Sequence, residues 1–331
     1  MVRRWRRRLA ALLLTAGAAG RLVAQAPAAS AADLAIRLAG MTAVTGYEQA
    51  MVDTLLTLLP GAERDRAGNA VLVFGNGTPR RLVACPLDET GYAVGRVRPD
   101  GWLTLHRSPA RLVPPGPLFD QQLEGQRVTV FGSHGPVPAV VAVRSVHLTR
   151  GRGTGSPDPF TSDDAYVDVG AASEREVTAL GIGLLSPVAL TKRPQRYGTD
   201  KLAAPVAGRR ASCAALLAAA RRAIAEQGMV PAPGTTVIAF VVEQQLEVRG
   251  LLTIATNRGP FEETWVADAG YGLAALKAAS LPGGPRSALG RVNGWELPTR
   301  YSGTAVETVA LGDVDRISGM IVSWLHGEAR Q

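Results

Sequence analysis

The stretch TTVIAFVV at residues 235–242 decides the fold, because an unbroken apolar and β-branched run of this length is typical of a strand buried on both faces. Residues 211–227 before it have the Ala, Leu and Arg content of a helix, and residues 264–267 after it form another short apolar run. Residues 305–311 predict a further buried strand, and residues 315–325 predict a terminal amphipathic helix. The alternation of helices with buried strands predicts an α/β fold with a mixed sheet.

The N-terminal part of the chain continues this pattern. Helical spacing at residues 34–38 and 49–59 predicts two helices. Strand-like runs follow at residues 70–74 and 81–85, and the Gly-Asn-Gly sequence at 75–77 between them predicts a hairpin turn.

The pattern changes between residues 92 and 150, where short Val-rich runs are separated by Gly and Pro. The runs are 92–97, 102–105, 127–131 and 139–146. They predict a small all-β unit, followed by a polar loop at 151–159. We therefore expect an α/β domain made of residues 32–92 and 201–331, with an inserted β domain at 93–200.

Composition and charge exclude several classes of protein. The 331 residues are 46% hydrophobic and 19% charged, which is typical of a globular chain. The formal net charge of +8 includes six arginines before residue 32, where there is no acidic residue, so the remainder carries only +2. Without a basic face across the domain, a nucleic-acid partner is not expected.

The first 31 residues have the pattern of an export signal. A basic start leads into an apolar run at 9–19, and Ala-Ser-Ala at 29–31 resembles a cleavage site. A membrane anchor is the alternative, but Arg21 interrupts the apolar run well short of the ~20 residues that a span needs. We expect an exported protein, periplasmic or secreted, with no membrane span after processing; Arg7 and Arg8 leave the Sec and twin-arginine routes both open.

The two cysteines, Cys85 and Cys213, lie in apolar surroundings. An oxidising compartment favours a disulfide between them. Their neighbours are equally typical of small buried side chains, and we expect buried thiols.

Seven segments, in this order, resemble motifs of peptidase family 42, the glutamyl-aminopeptidase and tetrahedral-aminopeptidase group of metallopeptidases. Residues 44–48 resemble "SGyE", 65–69 resemble "D-x-x-GN" and 87–91 resemble the end of "HMDEIG". Further along, 166–171 with 179–182 resemble "iDiGa…lGi", and 248–250 resemble "GlRGA". Residues 265–268 resemble "avD", and residues 300–301 with 306–307 bracket a counterpart of "RYiHSPvE". The resemblance covers nearly the whole chain after residue 31.

The resemblance implies a zinc-aminopeptidase-like mixed sheet flanked by helices, with an inserted barrel-like dimerisation domain. It also implies hydrolysis of peptide N-termini by two metal ions. Such a centre needs five His or carboxylate ligands, one of them bridging, and a glutamate that takes the proton from the bridging water.

Four of the five ligand positions lack their ligand when the motifs are carried across. The first His falls on Pro86, the bridging Asp on Gly208 and the final His on Gly303. One of the paired glutamates falls on Gln245, a neutral donor poorly suited to Zn²⁺. Only Asp268 of the "avD" motif is retained.

The general base of the family falls on Gln244, whose amide cannot accept a proton near neutral pH. The aspartate that orients the first His is retained as Asp88. Asp88 and Asp268 could keep a role in ligand binding or could simply cap backbone amides at strand ends. Glu89 and Glu247 could form an acidic lip for an amine or could be ordinary surface carboxylates.

These residues predict a degenerate family member, catalytically inactive, with an assembly or peptide-binding role. We expect no cofactor, a homo-oligomer formed through the inserted domain, and a roomier, less acidic cleft at Gly208 and Gly303. The alternative is an active aminopeptidase that uses Zn or Co at a rearranged site.

Overall fold

The computed structural model describes residues 29–108, 116, 118–143, 159–226, 233–269 and 286–327. Its helices are α1 (Ala31–Ala39), α2 (Gln49–Leu58), α3 (Glu174–Ala179), α4 (Ala207–Ala225), α5 (Arg249–Arg258) and α6 (Leu311–Leu325). Its first eight strands are β1 (Glu63–Arg64), β2 (Ala70–Gly75), β3 (Arg80–Pro86), β4 (Tyr92–Val97), β5 (Leu103–Arg107), β6 (Arg127–Gly132), β7 (Gly135–Val141) and β8 (Tyr166–Asp168). The others are β9 (Pro187–Leu190), β10 (Gln195–Tyr197), β11 (Lys201–Ala203), β12 (Thr235–Val241), β13 (Glu263–Asp268), β14 (Arg291–Glu296), β15 (Thr299–Arg300) and β16 (Thr308–Ala310).

The main sheet has six strands in the order β1-β2-β12-β3-β13-β14. Strand β12, buried along its whole length, lies between β2 and β3, antiparallel to the first and parallel to the second. The predicted hairpin between β2 and β3 is therefore wrong. The long apolar run of β12 gains more by central pairing on both sides than an edge position would allow.

Helices cover both faces of this sheet and separate its apolar core into two clusters. One cluster joins α1, α4 and α6 to the sheet through residues such as Leu38, Leu216 and Ile317. The other joins α5 to the opposite face through Leu251 and Ile254. This arrangement confirms the predicted mixed α/β fold with flanking helices.

The insertion forms a closed barrel in the order β4-β5-β8-β7-β6-β9. Its core contains Val94, Leu103, Val128, Val167 and Val188, all fully buried. The prediction of an all-β unit separate from the main sheet is confirmed. Residues 144–146 of the fourth predicted run, and nearly all of the predicted loop at 151–159, lie outside the described residues.

A second, four-stranded sheet has the order β10-β11-β16-β15 and is antiparallel throughout. The predicted buried strand at 305–311 is wrong in its length and place, since only Thr308–Ala310 form a strand, and they belong to this small sheet and not to the main one. The apolar run continues directly into α6, which begins at Leu311.

Cys85 and Cys213 form a disulfide, with Cα atoms 5.4 Å apart. The expectation of two buried thiols is therefore wrong. Cys85 lies near the end of β3, and α4 packs across that strand end and carries Cys213 to it. Burial and cross-linking produce the same apolar sequence context, so the sequence could not separate them.

The helix α1 begins with a capping box in which Ser30 accepts a hydrogen bond from the N–H of Asp33 and Asp33 accepts one in return. Cleavage after Ala31, as the sequence suggests, would remove this cap. The rest of the expected signal, residues 1–28, lies outside the described residues. Within the described residues, no helix combines the length and apolar character needed to cross a membrane.

Candidate functional site

The predicted site residues lie where three neighbouring strands end. Strands β12, β3 and β13 are mutually parallel, so Val241, Pro86 and Asp268 finish at the same edge of the main sheet. Helix α4 begins beside this edge with Ala207, Gly208 and Arg209, all buried. A ligand-binding crevice in an α/β sheet is expected at such an edge.

Asp88 is fully buried two residues beyond the end of β3. Its Oδ2 accepts a hydrogen bond from the Thr45 hydroxyl at 3.0 Å and another from the Gln245 N–H at 2.8 Å. Burial raises the pKa of Asp88, an effect that Arg209 and these hydrogen bonds oppose. Asp88 therefore ties the loop after β12 to the end of β3, as a structural aspartate at a strand end does.

Arg209 joins the two retained carboxylates. Its Nε lies 3.3 Å from Oδ1 of Asp268, and its Nη2 lies 3.5 Å from Oδ2. Its Nη1 donates to the main-chain carbonyl of Asp88 and lies 3.5 Å from Oδ1 of that residue. Burial disfavours the charge on Arg209, yet Asp268 and Asp88 raise the pKa of the guanidinium above its ordinary value. A permanent cation thus occupies the space between the carboxylates.

Glu307 connects Gly208 and Gly303, the two glycines at positions where the resemblance implies metal ligands. Its Oε1 accepts the N–H of Gly208 at 2.7 Å, and its Oε2 accepts the N–H of Gly303 at 3.0 Å. A Cβ added at Gly208 would lie only 2.5 Å from the Cβ of Ala269 and 2.6 Å from Oγ1 of Thr299. The expectation of extra space at Gly208 is wrong, because neighbouring side chains have closed over it.

Gln244 lies in the loop after β12 with 2% of its surface exposed. Neither its Oε1 nor its Nε2 has a hydrogen-bond partner among the described residues. Glu243, Glu247 and Val248 in the same loop have φ between +54° and +59°, so the loop is tightly wound.

Taken together, the predicted site residues lie at one edge of the main sheet, and Glu307 joins Gly208 to Gly303.

Glu48 is a buried residue of this edge that sequence reasoning missed. Its Oε1 accepts the N–H of Glu243 at 2.9 Å. Burial raises the pKa of Glu48 to about 7, and the nearby Asp88 adds to this, although the Glu243 hydrogen bond works against it. The sequence analysis used Glu48 only as the last residue of the motif at 44–48. An acidic residue at the start of a helix is favoured by the helix dipole, so its position beside α2 did not indicate burial.

Glu89 is buried and takes part in an ion-pair network. It contacts Lys192, which follows the barrel strand β9, and its Oε1 lies 3.1 Å from Nη2 of Arg210. Both cations lower the pKa of Glu89 although burial opposes them, and burial lowers the pKa of Lys192. Neither reading of Glu89, as an amine-binding lip or as an ordinary surface carboxylate, is correct, because it joins the barrel to the α/β domain. Glu247, by contrast, is exposed.

A small cavity lies against this network. It measures about 40 Å³ and is lined by Glu89, Lys192 and Glu307 together with Tyr92 and Phe119. This volume holds a few water molecules. The space beside Gly303 is therefore small.

The residues at this edge do not fit a divalent metal centre. In the parts of the chain that the structure describes, no three His, Cys, Asp or Glu side chains are grouped so as to hold a metal ion. Asp88 and Asp268 face the same guanidinium, and a metal ion between them would have to displace a buried cation. The donor set and the charge distribution both disagree with the two-metal centre that the resemblance implies.

Comparison with protein families gives a match to the model of M42 glutamyl aminopeptidase over residues 68–267. The aminopeptidase-like protein SgcX of Escherichia coli (strain K12) is 28% identical over 228 residues, which are 66% of this chain and 57% of that protein. The lysyl aminopeptidase of Pyrococcus furiosus is 28% identical over 184 residues, which are 54% of this chain and 51% of that protein. The chain thus spans a little over half the length of these curated relatives.

Solved structures of aminopeptidases share the fold. The TET1 peptidase of Pyrococcus horikoshii superposes with a TM-score of 0.73 at 17% identity, over 89% of this chain and 99% of that one. An aminopeptidase from Desulfurococcus kamchatkensis gives a TM-score of 0.72 at 17% identity, over 90% and 94%. The likeness therefore extends through both the main sheet and the inserted barrel.

Proposed function

Because the chain belongs to the M42 glutamyl aminopeptidase family, we propose that it is a member of that family which has lost hydrolysis and kept the scaffold. The observation that carries this proposal is Gln244, a buried carboxamide at the position that the family motif gives to the general base. A carboxamide oxygen is too weakly basic to take a proton near neutral pH, so it cannot act as the general base for a water molecule.

The ligand positions support the same proposal. Pro86, Gly208 and Gly303 offer no side-chain donor, and Gln245 offers only a neutral one. Two-metal hydrolysis depends on ligands that hold both ions in place beside the reacting water. Asp268, the one retained ligand, pairs with Arg209. Hydrolysis then lacks both its activated water and the base for it.

The role that remains is assembly, with peptide binding as a further part of the proposal. The Pyrococcus horikoshii TET1 peptidase assembles into a tetrahedron or a large octahedral shell. This chain has the barrel that the resemblance assigns to assembly, including β8 at the segment that matches the family motif. We propose a homo-oligomer that forms through this barrel, and light scattering at tens of micromolar tests it: a monomer would contradict it.

The proposed site of action is outside the cytoplasm. The basic and apolar start of the chain has the pattern of an export signal. The disulfide between Cys85 and Cys213 supports this location, because disulfides persist in oxidising compartments. Fractionation of cells that produce the full chain tests this part: the protein should appear in the exported fraction with a shortened N-terminus.

The alternative function is an active metallo-aminopeptidase with a rearranged site, which agrees with the names of the relatives. A panel of aminoacyl-anilides separates the two. The purified protein, supplied with Zn²⁺ or Co²⁺, should hydrolyse every substrate at the rate of buffer alone, while the Pyrococcus furiosus lysyl aminopeptidase serves as the positive control. Chelator-sensitive hydrolysis that follows the protein through purification would overturn the proposal.

A further inference from the structure

We infer that the Arg209 guanidinium is the resident cation of this site and takes the electrostatic place of a metal ion between Asp88 and Asp268. The inference rests on the proposed loss of the metal centre, and it adds the group that replaces that centre. It assigns a function to a residue that the family motif leaves unspecified.

The geometry of the guanidinium fits this role. Its Nε and Nη2 edge faces the two carboxylate oxygens of Asp268, at 3.3 and 3.5 Å. Its Nη1 reaches the main-chain carbonyl and Oδ1 of Asp88 on the other side. A rigid fork of N–H donors can satisfy two carboxylates at once, which a lysine ammonium cannot do with the same directionality. The side chain of Arg209 is 6% exposed, and those of Asp88 and Asp268 are 0% and 3% exposed.

The charges around Arg209 make a cation necessary here. Asp88, Asp268 and Glu307 bring three carboxyl groups to this edge of the sheet. The adjacent cation, Arg210, is already engaged with Glu89. Removal of the Arg209 charge would take away the cation that the buried Asp88 and Asp268 share, which destabilises a fold far more than loss of an exposed pair.

The position of Arg209 in the sequence agrees with this reading. It directly follows Gly208, the position at which the family motif has its bridging carboxylate. At this turn of α4 an anionic ligand is missing and a cation stands at the next residue. The loss of that carboxylate and the presence of this cation together allow Asp88 and Asp268 to stay in place without a metal ion.

Thermal unfolding of the full chain at pH 7.5 in EDTA tests the inference. R209M, which keeps the length of the side chain and removes its charge, should lower Tm by an amount on the order of 10 °C. R209M/D88N/D268N, which removes the guanidinium together with the two carboxylates that it contacts, should recover more than half of this loss. R249M is the matched control, because Arg249 pairs with Glu243 at 3.0 Å with a side chain 68% exposed, and its loss should change Tm little.

The triple variant decides the result even where R209M does not fold. A triple variant that is soluble and melts cooperatively above R209M supports the role of Arg209 as a cation. A triple variant that melts as low as R209M, or fails to fold with it, shows that Arg209 acts by shape and overturns the inference.

Divalent cations give a second readout. In 1 mM MnCl₂ without EDTA, R209A should gain several degrees in Tm because the freed carboxylates bind the ion, whereas the wild type and R209A/D268N should not. If Mn²⁺ does not change the Tm of R209A, the assignment of a cation position between Asp88 and Asp268 is overturned. Stoichiometric metal in the wild-type protein would instead overturn the proposed function, so the two failures are distinguishable.

Discussion

The Nε atom of Arg209 lies 3.3 Å from Oδ1 of Asp268 at the edge of the main sheet. Both residues are buried, with at most 5% of their surface exposed. The family motif identifies Asp268 as a metal ligand, yet in this chain the carboxylate faces a permanent cation. The same guanidinium contacts Asp88. Asp88 and Asp268 are therefore members of one buried ion-pair cluster centred on Arg209.

Restoring the missing base should not restore hydrolysis. Q244E places a carboxylate at the position of the family's base, but the ligand positions Pro86, Gly208 and Gly303 still lack donors. We expect aminoacyl-anilide hydrolysis at the buffer rate. We also expect a loss of about 2–3 kcal/mol in the free energy of unfolding, because the new charge is buried without a donor. Q49E, an exposed change of the same kind on α2, should be neutral; hydrolysis by Q244E would show that a metal centre is present.

The junction between barrel and α/β domain should depend on Lys192. The side chains of Lys192 and Glu89 are 4% and 2% exposed, and the pair is joined by Arg210. K192M should lower the free energy of unfolding by about 3–5 kcal/mol, since it removes one partner of a buried pair. R193A, an exposed neighbour, should cost less than about 0.5 kcal/mol. Equal effects of the two variants in urea denaturation would contradict the junction role.

The disulfide should stabilise the chain across the inserted barrel. Cys85 and Cys213 are separated by 128 residues that include the whole barrel. In the chain-entropy description a loop of this length is worth about 4–5 kcal/mol, and native disulfides contribute about 2–5 kcal/mol. C85A/C213A should therefore unfold at a lower urea concentration than the oxidised protein. Dithiothreitol should lower the urea midpoint of the wild type toward that of the variant. An unchanged midpoint in dithiothreitol, with the thiols shown to be free, would contradict the prediction.

Glu48 should make stability fall as pH rises. Its pKa is about 7 in the folded chain and 4.5 in the ordinary case, so the folded state favours the protonated carboxyl. That contribution is complete below pH 4.5 and is lost as pH rises through 7, with a total of about 3–4 kcal/mol. E48Q keeps an acceptor for the Glu243 N–H and cannot ionise. Urea denaturation at pH 5.5 and 8 should show that the free energy of unfolding of E48Q rises relative to that of the wild type at the higher pH. If the free energies of the two proteins change with pH in parallel, the prediction is contradicted.

Much of the fold could be predicted from the sequence, because the period and length of the apolar runs indicate which segments are helices and which are buried strands. The run at 235–242 indicates a strand buried on both faces, and β12 is the strand between β2 and β3. The pairing of β12 with both β2 and β3 could not be predicted, since the Gly-Asn-Gly sequence at 75–77 is as compatible with a crossover as with a hairpin. Strand order depends on contacts between residues far apart in the chain.

The sequence indicates which ligand positions lack a donor, but not what surrounds those positions in the fold. Alignment of the family motifs places Pro86, Gly208 and Gly303 at positions where the resemblance implies metal ligands. The closure of Gly208 by Glu307 depends on a carboxylate 99 residues away, which no local pattern shows. The sequence does show a cation, Arg209, directly after the position of the implied bridging carboxylate, Gly208. Because Arg210 follows immediately, the sequence does not indicate which of the two arginines faces the site. Burial of Glu89 and Lys192 follows from packing of the barrel against the α/β domain, and Glu48 is buried beside Asp88 and the loop after β12.

The metal content of the purified wild-type protein tests the central claim most directly. Protein produced with Zn²⁺ or Co²⁺ supplied, then passed through a desalting column, should contain less than about 0.1 metal ion per chain, because Arg209 already compensates the two carboxylates and the other ligands are absent. One or two ions per chain that are retained on the column and released by a chelator would contradict the account.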